Sequence, residues 1–329
     1  MSTPLANAIP PASSSDGTTL GAVVECPACR RTIGKVFRDR ATCPGCAWAI
    51  TRVDGIYRAL PPDRRFYFSR FIAEYQSVRE REGRGSTASD YYLALPFSDL
   101  TGRNRWQWAI RARTFAHFER QILPGIAALN PGGADILDIG AGNGWLSYRL
   151  ARKGHHPVAL DLIDNSFDGL GAARHYFSEL SQPFPCFQAE MDRLPFASRQ
   201  FDAVIFNASF HYSVDYEVTL AESLRCLRRP GFVVIADSPT YRRRKSGEQM
   251  IEERREDFRR RYGFASDSLP SKEYLTPQIL SDLSRRRSVK WQIEKPWYGL
   301  AWALRPLKAW MLGKREPSKF YLLWARVEQ

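Results

Sequence analysis

The chain has 329 residues, of which 44% are apolar and 25% charged. That is close to globular averages, which excludes wholesale disorder and leaves room for one full α/β domain and a small accessory module. It holds 48 Lys and Arg against 35 Asp and Glu, for a net charge of +13; this balance favours anionic partners such as RNA, an acidic lipid surface or an anionic substrate, or else a solvated basic face. No apolar run reaches membrane-spanning length, which excludes a helical membrane span.

Residues 1–20 are rich in Ser, Thr, Ala and Pro, with Asp16 as their one charge. They lack the basic and apolar regions of a secretory signal, so they are expected to form a flexible tail on a cytoplasmic protein. Residues 21–62 hold two cysteine pairs. Residues 63–130 read as a helical, aromatic linker or substrate cap, with Phe66-Tyr67-Phe68, a break at Gly83-Arg84-Gly85-Ser86, and a helix from about Arg103 to Leu123. Residues 131–329 alternate strand and helix. Strands are expected over Ala134–Gly140, Pro157–Leu162, Phe184–Ala189, Phe201–Asn207 and Gly231–Asp237, with late strands near Val289–Lys295 and Phe320–Val327. Helices are expected over Trp145–Lys153, Asp168–Leu180, Asp215–Arg228 (Leu220, Leu224 and Leu227 on one face), Gly247–Tyr262 and Thr276–Arg287. Repeated βα units predict a doubly wound, mostly parallel sheet.

The run Asp138-Ile139-Gly140-Ala141-Gly142-Asn143-Gly144 ends the first of these strands and opens a helix. Such a turn lies at the carboxyl edge of a parallel sheet, where ligands bind, and its glycines let the backbone approach a ligand closely. The spacing is GxGxG, not the GxGxxG of dinucleotide folds. Asp161 ends the second strand, 23 residues after Asp138, where an acid can accept hydrogen bonds from both ribose hydroxyls. After the third strand comes Ala189-Glu190-Met191-Asp192-Arg193-Leu194-Pro195-Phe196.

In order, ILDIGAGNGWLS, VALDL, AEMDRLPF, FDAVIFN and LRCLRRPGFVVIAD resemble the motif set of class I S-adenosylmethionine-dependent methyltransferases. The likeness covers about 130–240. It implies a Rossmann-like, seven-stranded sheet with an antiparallel closing hairpin. It further implies that Asp138, Gly140, Gly142 and Gly144 pass under the methionine part of S-adenosylmethionine, that Asp161 holds the ribose, and that Met191 and Asp192 meet the adenine. Arg229-Pro230-Gly231 departs from the family at a turn, where many members have a second glycine.

Methyl transfer needs positioning and, for weak nucleophiles, a base. Asn207-Ala208-Ser209-Phe210-His211-Tyr212 follows the fourth strand and is expected to face the methyl group. His211 is the candidate base, or else a residue that shapes the pocket, with Tyr212 and Asn207 behind it, and Asn207 is also a candidate cofactor contact. The segment lacks the Asn/Asp-Pro-Pro-Tyr/Phe pattern of many amino-group methyltransferases of nucleic acid. It looks more like small-molecule enzymes of the quinone-biosynthesis type.

Cys26-Pro27-Ala28-Cys29 and Cys43-Pro44-Gly45-Cys46 are two knuckles whose four thiolates can surround one structural Zn²⁺. Cys186 and Cys226 stand apart and read as small buried residues. The segment after the knuckles, Val53-Asp54-Gly55-Ile56-Tyr57-Arg58-Ala59-Leu60, resembles the end of zinc ribbons fused to bacterial methyltransferases, and also the zinc-binding activator of tRNA and protein methyltransferases. A ribbon ahead of a methyltransferase is likewise the layout of certain rRNA guanine methyltransferases, which keeps RNA as a partner.

Tyr91, Tyr92, Arg103 and Trp106 are candidate substrate contacts, as aromatics beside arginines; the other reading for the tryptophans, Trp108 included, is helix core. Trp297–Leu312 with Arg305, Lys308 and Lys314 reads as an interfacial membrane helix, a lid, or a helix packed on the zinc module. Arg242-Arg243-Arg244-Lys245 can meet phosphates or open a solvated helix. The leading expectation is methyl transfer to a small organic or lipid-like acceptor. The alternatives are an RNA base methyltransferase and a non-catalytic cofactor-binding scaffold.

Overall fold

The computed structural model describes residues 19–36 and 39–328. The expected tail falls outside the described residues, except that its last two positions open the first strand. Strands β1 (Thr19–Glu25) and β2 (Thr32–Val36) pair antiparallel. Strands β3 (Arg40–Thr42), β4 (Ala49–Val53) and β5 (Ile56–Arg58) form an antiparallel meander. Asp54-Gly55 joins β4 to β5 with φ of +51° and +79°, the left-handed pair that a tight hairpin turn demands.

Helix α1 (Pro62–Arg81) starts with proline in its first turn, where no amide is needed. Helices α2 (Ser89–Ala94), α3 (Arg105–Gln121) and α4 (Leu123–Ala127) follow. Then come β6 (Asp135–Ile139), α5 (Trp145–Ala151) and β7 (His156–Asp161). The helix expected over Asp168–Leu180 is reduced to a 3-10 turn at Leu170–Ala173 and α6 (Arg174–Phe177). The cause is Asn165, whose Oδ1 accepts the amides of Phe167, Asp168 and Gly169 at 2.9, 2.9 and 3.2 Å and holds them in a side-chain-capped loop.

The chain continues through β8 (Cys186–Gln188), β9 (Phe201–Asn207), α7 (Tyr216–Cys226), β10 (Leu227–Ala236), β11 (Pro239–Thr240), α8 (Arg244–Tyr262) and α9 (Pro277–Arg287). It closes with β12 (Gln292–Glu294), α10 (Leu300–Ala303), α11 (Arg305–Met311), β13 (Lys319–Phe320) and β14 (Leu322–Val327). Asp215 and Thr276 cap α7 and α9 through their side chains.

One sheet runs β12-β14-β10-β9-β6-β7-β8-β5-β4-β3. Pairing from β10 through β8 is parallel, and β14 is antiparallel to both β10 and β12. This is the expected Rossmann-like methyltransferase arrangement with its antiparallel closing strands. The expected count of seven needs correction, because the sheet has ten strands. The unpaired edge of β8 is an open row of amides and carbonyls, and β5 covers it in parallel, bringing β4 and β3 with it. The cysteine module is therefore an extension of the main sheet. Tyr57 on β5 stacks on Phe187 of β8 at 4.8 Å between ring centres.

Buried side chains fill both faces of the sheet. From β9, Val204 and Phe206 enter one layer, and Ala203 and Ile205 the other, as the two-residue period of a doubly covered strand requires. Cys186 and Cys226 are buried, as expected.

Candidate cofactor and acceptor site

The chain reverses direction across the sheet between β6 and β9, and a crevice opens beyond their carboxyl ends. There the glycine turn passes with φ of +73°, +56° and +80° at Gly140, Gly142 and Gly144. A Cβ at Gly140 would stand 2.2 Å from Ser209 Cβ, so no other residue fits there. The amides of Gly140 and Ala141 donate to the Leu160 carbonyl at 2.7 and 3.0 Å. The next free amide, Gly142, donates to Asp161 Oδ2 at 2.8 Å, while Ile163 donates to Oδ1 at 2.8 Å. Asp161 thus joins the glycine turn to the end of β7. Burial pushes its carboxyl up to about 6, against the lowering effect of these amides.

A cavity sits over this turn. Its wall brings together Gly140, Gly142, Asp161, Met191, Asn207 and Tyr212 from the expected set. Asp192 lies on an adjoining cavity that shares Phe71, Leu162, Met191 and Tyr212 with the first. It accepts a hydrogen bond from Thr219 Oγ1, and burial raises its carboxyl. Asp138 lies under the turn rather than on the wall. It is fully buried, accepts from Ser147 Oγ at 2.8 Å, and is pushed up to about 7 by burial. Gly144 caps α5 beneath the same turn.

The expected set needs two corrections. His211 is not on the cavity wall: its ring turns toward Ser238 Oγ, 3.4 Å from Nδ1. Burial, with the charges of Arg111 and Arg254, pushes it down to about 3, which makes it a weak base. Tyr91 and Tyr92 are core residues, 2% and 0% exposed. The Tyr92 hydroxyl is held by the backbone of Ser86 and Phe167, so neither ring is presented to a substrate. Arg103 lines a separate cleft with Gly83 and Thr87, and Trp106 is exposed beside Trp302 at 6.0 Å between ring centres. Trp108 is core.

The roof of the cavity was not foreseen. Phe71, Tyr75 and Arg79 of α1 close it, with Arg111 of α3. Their spacing of four residues puts the first three on one helix face, a pattern present in the sequence but not tied to any strand end. Arg79 pairs with Asp168, and the Tyr212 ring lies 5.9 Å from Tyr75 and 6.2 Å from Phe71.

The residues fit S-adenosylmethionine. A cradle that a Cβ would fill, a half-buried carboxylate at the end of β7 and the apolar Met191 and Leu162 beyond it match an amino acid, a ribose and a base in that order. The cysteines fit a metal equally well. The four Sγ atoms of Cys26, Cys29, Cys43 and Cys46 lie within 4.8 Å of one another, and the pairs Cys26–Cys46 and Cys29–Cys43 are 3.6 and 3.4 Å apart. Tetrahedral zinc with Zn–S of about 2.3 Å separates its sulfurs by about 3.8 Å. Each knuckle closes with an amide to the first cysteine's carbonyl, Arg30 to Cys26 at 2.8 Å and Ala47 to Cys43 at 3.1 Å.

Residues 137–235 match the family model described as "Methyltransferase domain". The chain is 32% identical over 118 residues to the ubiquinone/menaquinone biosynthesis C-methyltransferase UbiE of Allorhizobium ampelinum, covering 34% of this chain and 45% of that protein. It is 28% identical over 150 residues to the fatty-acid O-methyltransferase of Mycolicibacterium smegmatis, covering 45% and 50% respectively. The chain thus spans about half the length of the curated relatives it matches. Among solved structures, the 1,6-didemethyltoxoflavin-N1-methyltransferase of Burkholderia thailandensis is similar at a TM-score of 0.45 and 15% identity, covering 89% of this chain and 100% of that one.

Proposed function

We propose that this chain, which carries a methyltransferase domain of the class I, S-adenosylmethionine-dependent kind, methylates a small organic or lipid-like acceptor in the cytoplasm. The observation that carries the reading is the crevice itself, where Asp161 ties the glycine turn to β7 beneath one continuous cavity. Bound S-adenosylmethionine would supply an activated methyl group on a sulfonium. The protein's own part is to hold and enclose. Asp161 accepts the ribose hydroxyls, Met191 and Asp192 take the adenine end, and the turn from Gly140 to Gly144 lets the backbone lie against the amino-acid part. Phe71, Tyr75 and Tyr212 keep water off the reacting centre. Asn207, at the end of β9, and Tyr212, in the 3-10 turn that follows, position the acceptor.

Zinc in the four-thiolate cluster has a structural role, since a closed set of ligands leaves no open position. Cysteine pairs kept for a metal suit a reducing compartment.

A lipid-like acceptor is favoured by the outer surface of α10 and α11. Leu300, Leu304, Leu307 and Met311 follow a helical stripe and, with Trp297, Trp310 and Leu312, are all exposed. No acid occurs between Lys295 and Arg315, where Arg305, Lys308 and Lys314 also lie, so this face suits an anionic lipid surface. Among the described residues no helix is long and apolar enough to cross a membrane.

The test is transfer of radiolabelled methyl from S-adenosylmethionine into an extract of the source cells, divided into organic-soluble and RNA fractions. Label is expected in the organic fraction. Label confined to RNA and lost on ribonuclease treatment would replace this reading with an RNA methyltransferase. No label in either fraction, with cofactor bound, would leave a scaffold.

A further inference from the structure

The cavity carries a cation that no carboxylate contacts directly among the described residues. Arg111 is on the cavity wall, with its guanidinium 4.8 Å above the ring of Trp108. Among the described residues it has no hydrogen-bond acceptor and no ion-pair partner. The two arginines nearest in charge to it are already committed. Arg79 pairs with Asp168, and Arg84 pairs with Glu82 at 2.9 Å and donates to Gln107. Asp237 and Asp168 are the nearby carboxylates, but Asp237 accepts from Thr114 Oγ1 at 2.6 Å, Asp168 is taken by Arg79, and neither forms an ion pair with Arg111. A guanidinium stays charged at any physiological pH, and an uncompensated charge in an enclosed site is costly until an anion arrives.

The position of Arg111 along the sheet edge tells which ligand brings that anion. Met191 and Asp192 follow β8, Asp161 ends β7, the glycine turn follows β6, and Asn207 ends β9. Arg111 is at the opposite end of this series: Thr114, one helical turn along α3, bonds to Asp237, which follows β10. The cofactor as placed above occupies the β8-to-β6 stretch, which leaves the β9-to-β10 end for the acceptor. Taken whole, the cofactor adds positive charge, since its ammonium and carboxylate cancel and its sulfonium is cationic; its carboxylate is the one cofactor group able to compete for Arg111.

Resting on the cofactor reading above, we propose that Arg111 is the anchor for an oxygen anion on the methyl acceptor, a carboxylate or phenolate held by the planar fork of the guanidinium. An ionised acceptor also removes the need for a general base. The acceptor's own electron pair forms the new bond to the methyl carbon, the carbon–sulfur pair leaves with sulfur as a neutral thioether, and no proton has to be removed by a side chain.

The test uses full-length protein loaded with S-adenosylhomocysteine, titrated calorimetrically with dodecanoate against its methyl ester, and benzoate against benzamide. The acids are expected to bind more tightly than their neutral partners by about tenfold or more. R111Q is expected to erase that preference and R111K to restore part of it, while S-adenosylhomocysteine affinity stays within about twofold of wild type. Equal binding of acid and neutral partners, or no binding of either acid, overturns the proposal. So does an R111Q protein that loses S-adenosylhomocysteine yet binds 5′-methylthioadenosine normally, because Arg111 would then serve the cofactor's own carboxylate. Failure of the wild-type protein to bind S-adenosylhomocysteine at all would instead overturn the cofactor reading beneath it, and the first titration shows this before any acid is added.

Discussion

Arg30 Nη1 donates to the carbonyl of Leu194 at 3.1 Å. Arg30 is also the residue that closes the first cysteine knuckle, and its Nη2 pairs at 3.0 Å with Glu222, which in turn accepts the Leu194 amide at 3.1 Å. Strand β1 grips the same loop through Glu25 N to Pro195 O at 3.2 Å and Ala197 N to Val23 O at 2.9 Å. The thiolate cluster and the loop carrying Met191 and Asp192 therefore share one clamp. Stripping the metal with a chelator, or C43S, is expected to lower the melting temperature and to weaken S-adenosylhomocysteine binding by about tenfold. Calorimetry on metal-assayed samples reads both. Lost stability with intact nucleoside affinity would show that the cysteine module braces the fold without shaping the site.

Asp161 gives the site a pH dependence. Its carboxyl is raised from 3.8 to about 6 by burial, so the folded protein without cofactor holds this proton more tightly than the unfolded chain. The resulting share of stability is complete below about pH 4 and lost as pH rises through about 6. Cofactor binding runs the other way, because the ionised carboxylate is the better acceptor for ribose hydroxyls. Affinity for S-adenosylhomocysteine is expected to increase between pH 5 and 7 in the wild type and to be flat over that range in D161N. D161N should also bind about 10- to 100-fold more weakly at pH 7.5, the loss of charge-assisted hydrogen bonds. Wild-type affinity in D161N would displace the ribose from this carboxylate.

Removal of His211 distinguishes a base from a residue of the scaffold. With the ring pushed down to about 3 and turned to Ser238, H211N is expected to keep kcat within about fivefold, where loss of a working base costs about 100-fold or more. The wild-type pH–rate profile should show no inflection that H211N abolishes. A lost inflection near pH 6 would restore His211 as the base.

Vesicle sedimentation tests the face of α10 and α11. Trp310 is 77% exposed and Met311 72%, yet Tyr298 at the base of the segment is buried, with its hydroxyl 2.8 Å from Thr114 Oγ1. The segment is thus tied down on its inner side and apolar outside. At low salt the protein is expected to sediment with phosphatidylglycerol vesicles and not with phosphatidylcholine vesicles, and L307D/W310D should abolish this while leaving S-adenosylhomocysteine binding unchanged. Equal recovery with both vesicle types, or none, would remove the lipid surface from the account.

The basic run at Arg242–Lys245 opens α8, and Arg244 pairs with Glu248 at 2.7 Å one turn on. It behaves as the solvated helix that local spacing suggested, since a pair within one element is set by the chain alone.

The sequence by itself determined what depends on near neighbours. Strands β6, β7, β9 and β10 and the helices beginning near Asp215 and Thr276 were legible because hydrophobic period acts within a few residues. The glycine turn was legible because a left-handed backbone leaves glycine as the residue that fits, and the two CxxC pairs because their spacing sets their geometry. Tertiary structure alone decided what depends on distant partners. The β5–β8 pairing that makes ten strands joins residues about 130 positions apart. The burial of Tyr91 and Tyr92, the turn of His211 away from the cavity, and the lack of a direct ion pair at Arg111 all come from elements that meet only in the folded chain. Aromatic and arginine side chains have the same local signature in a core as in a site. Which they serve is fixed by the packing around them.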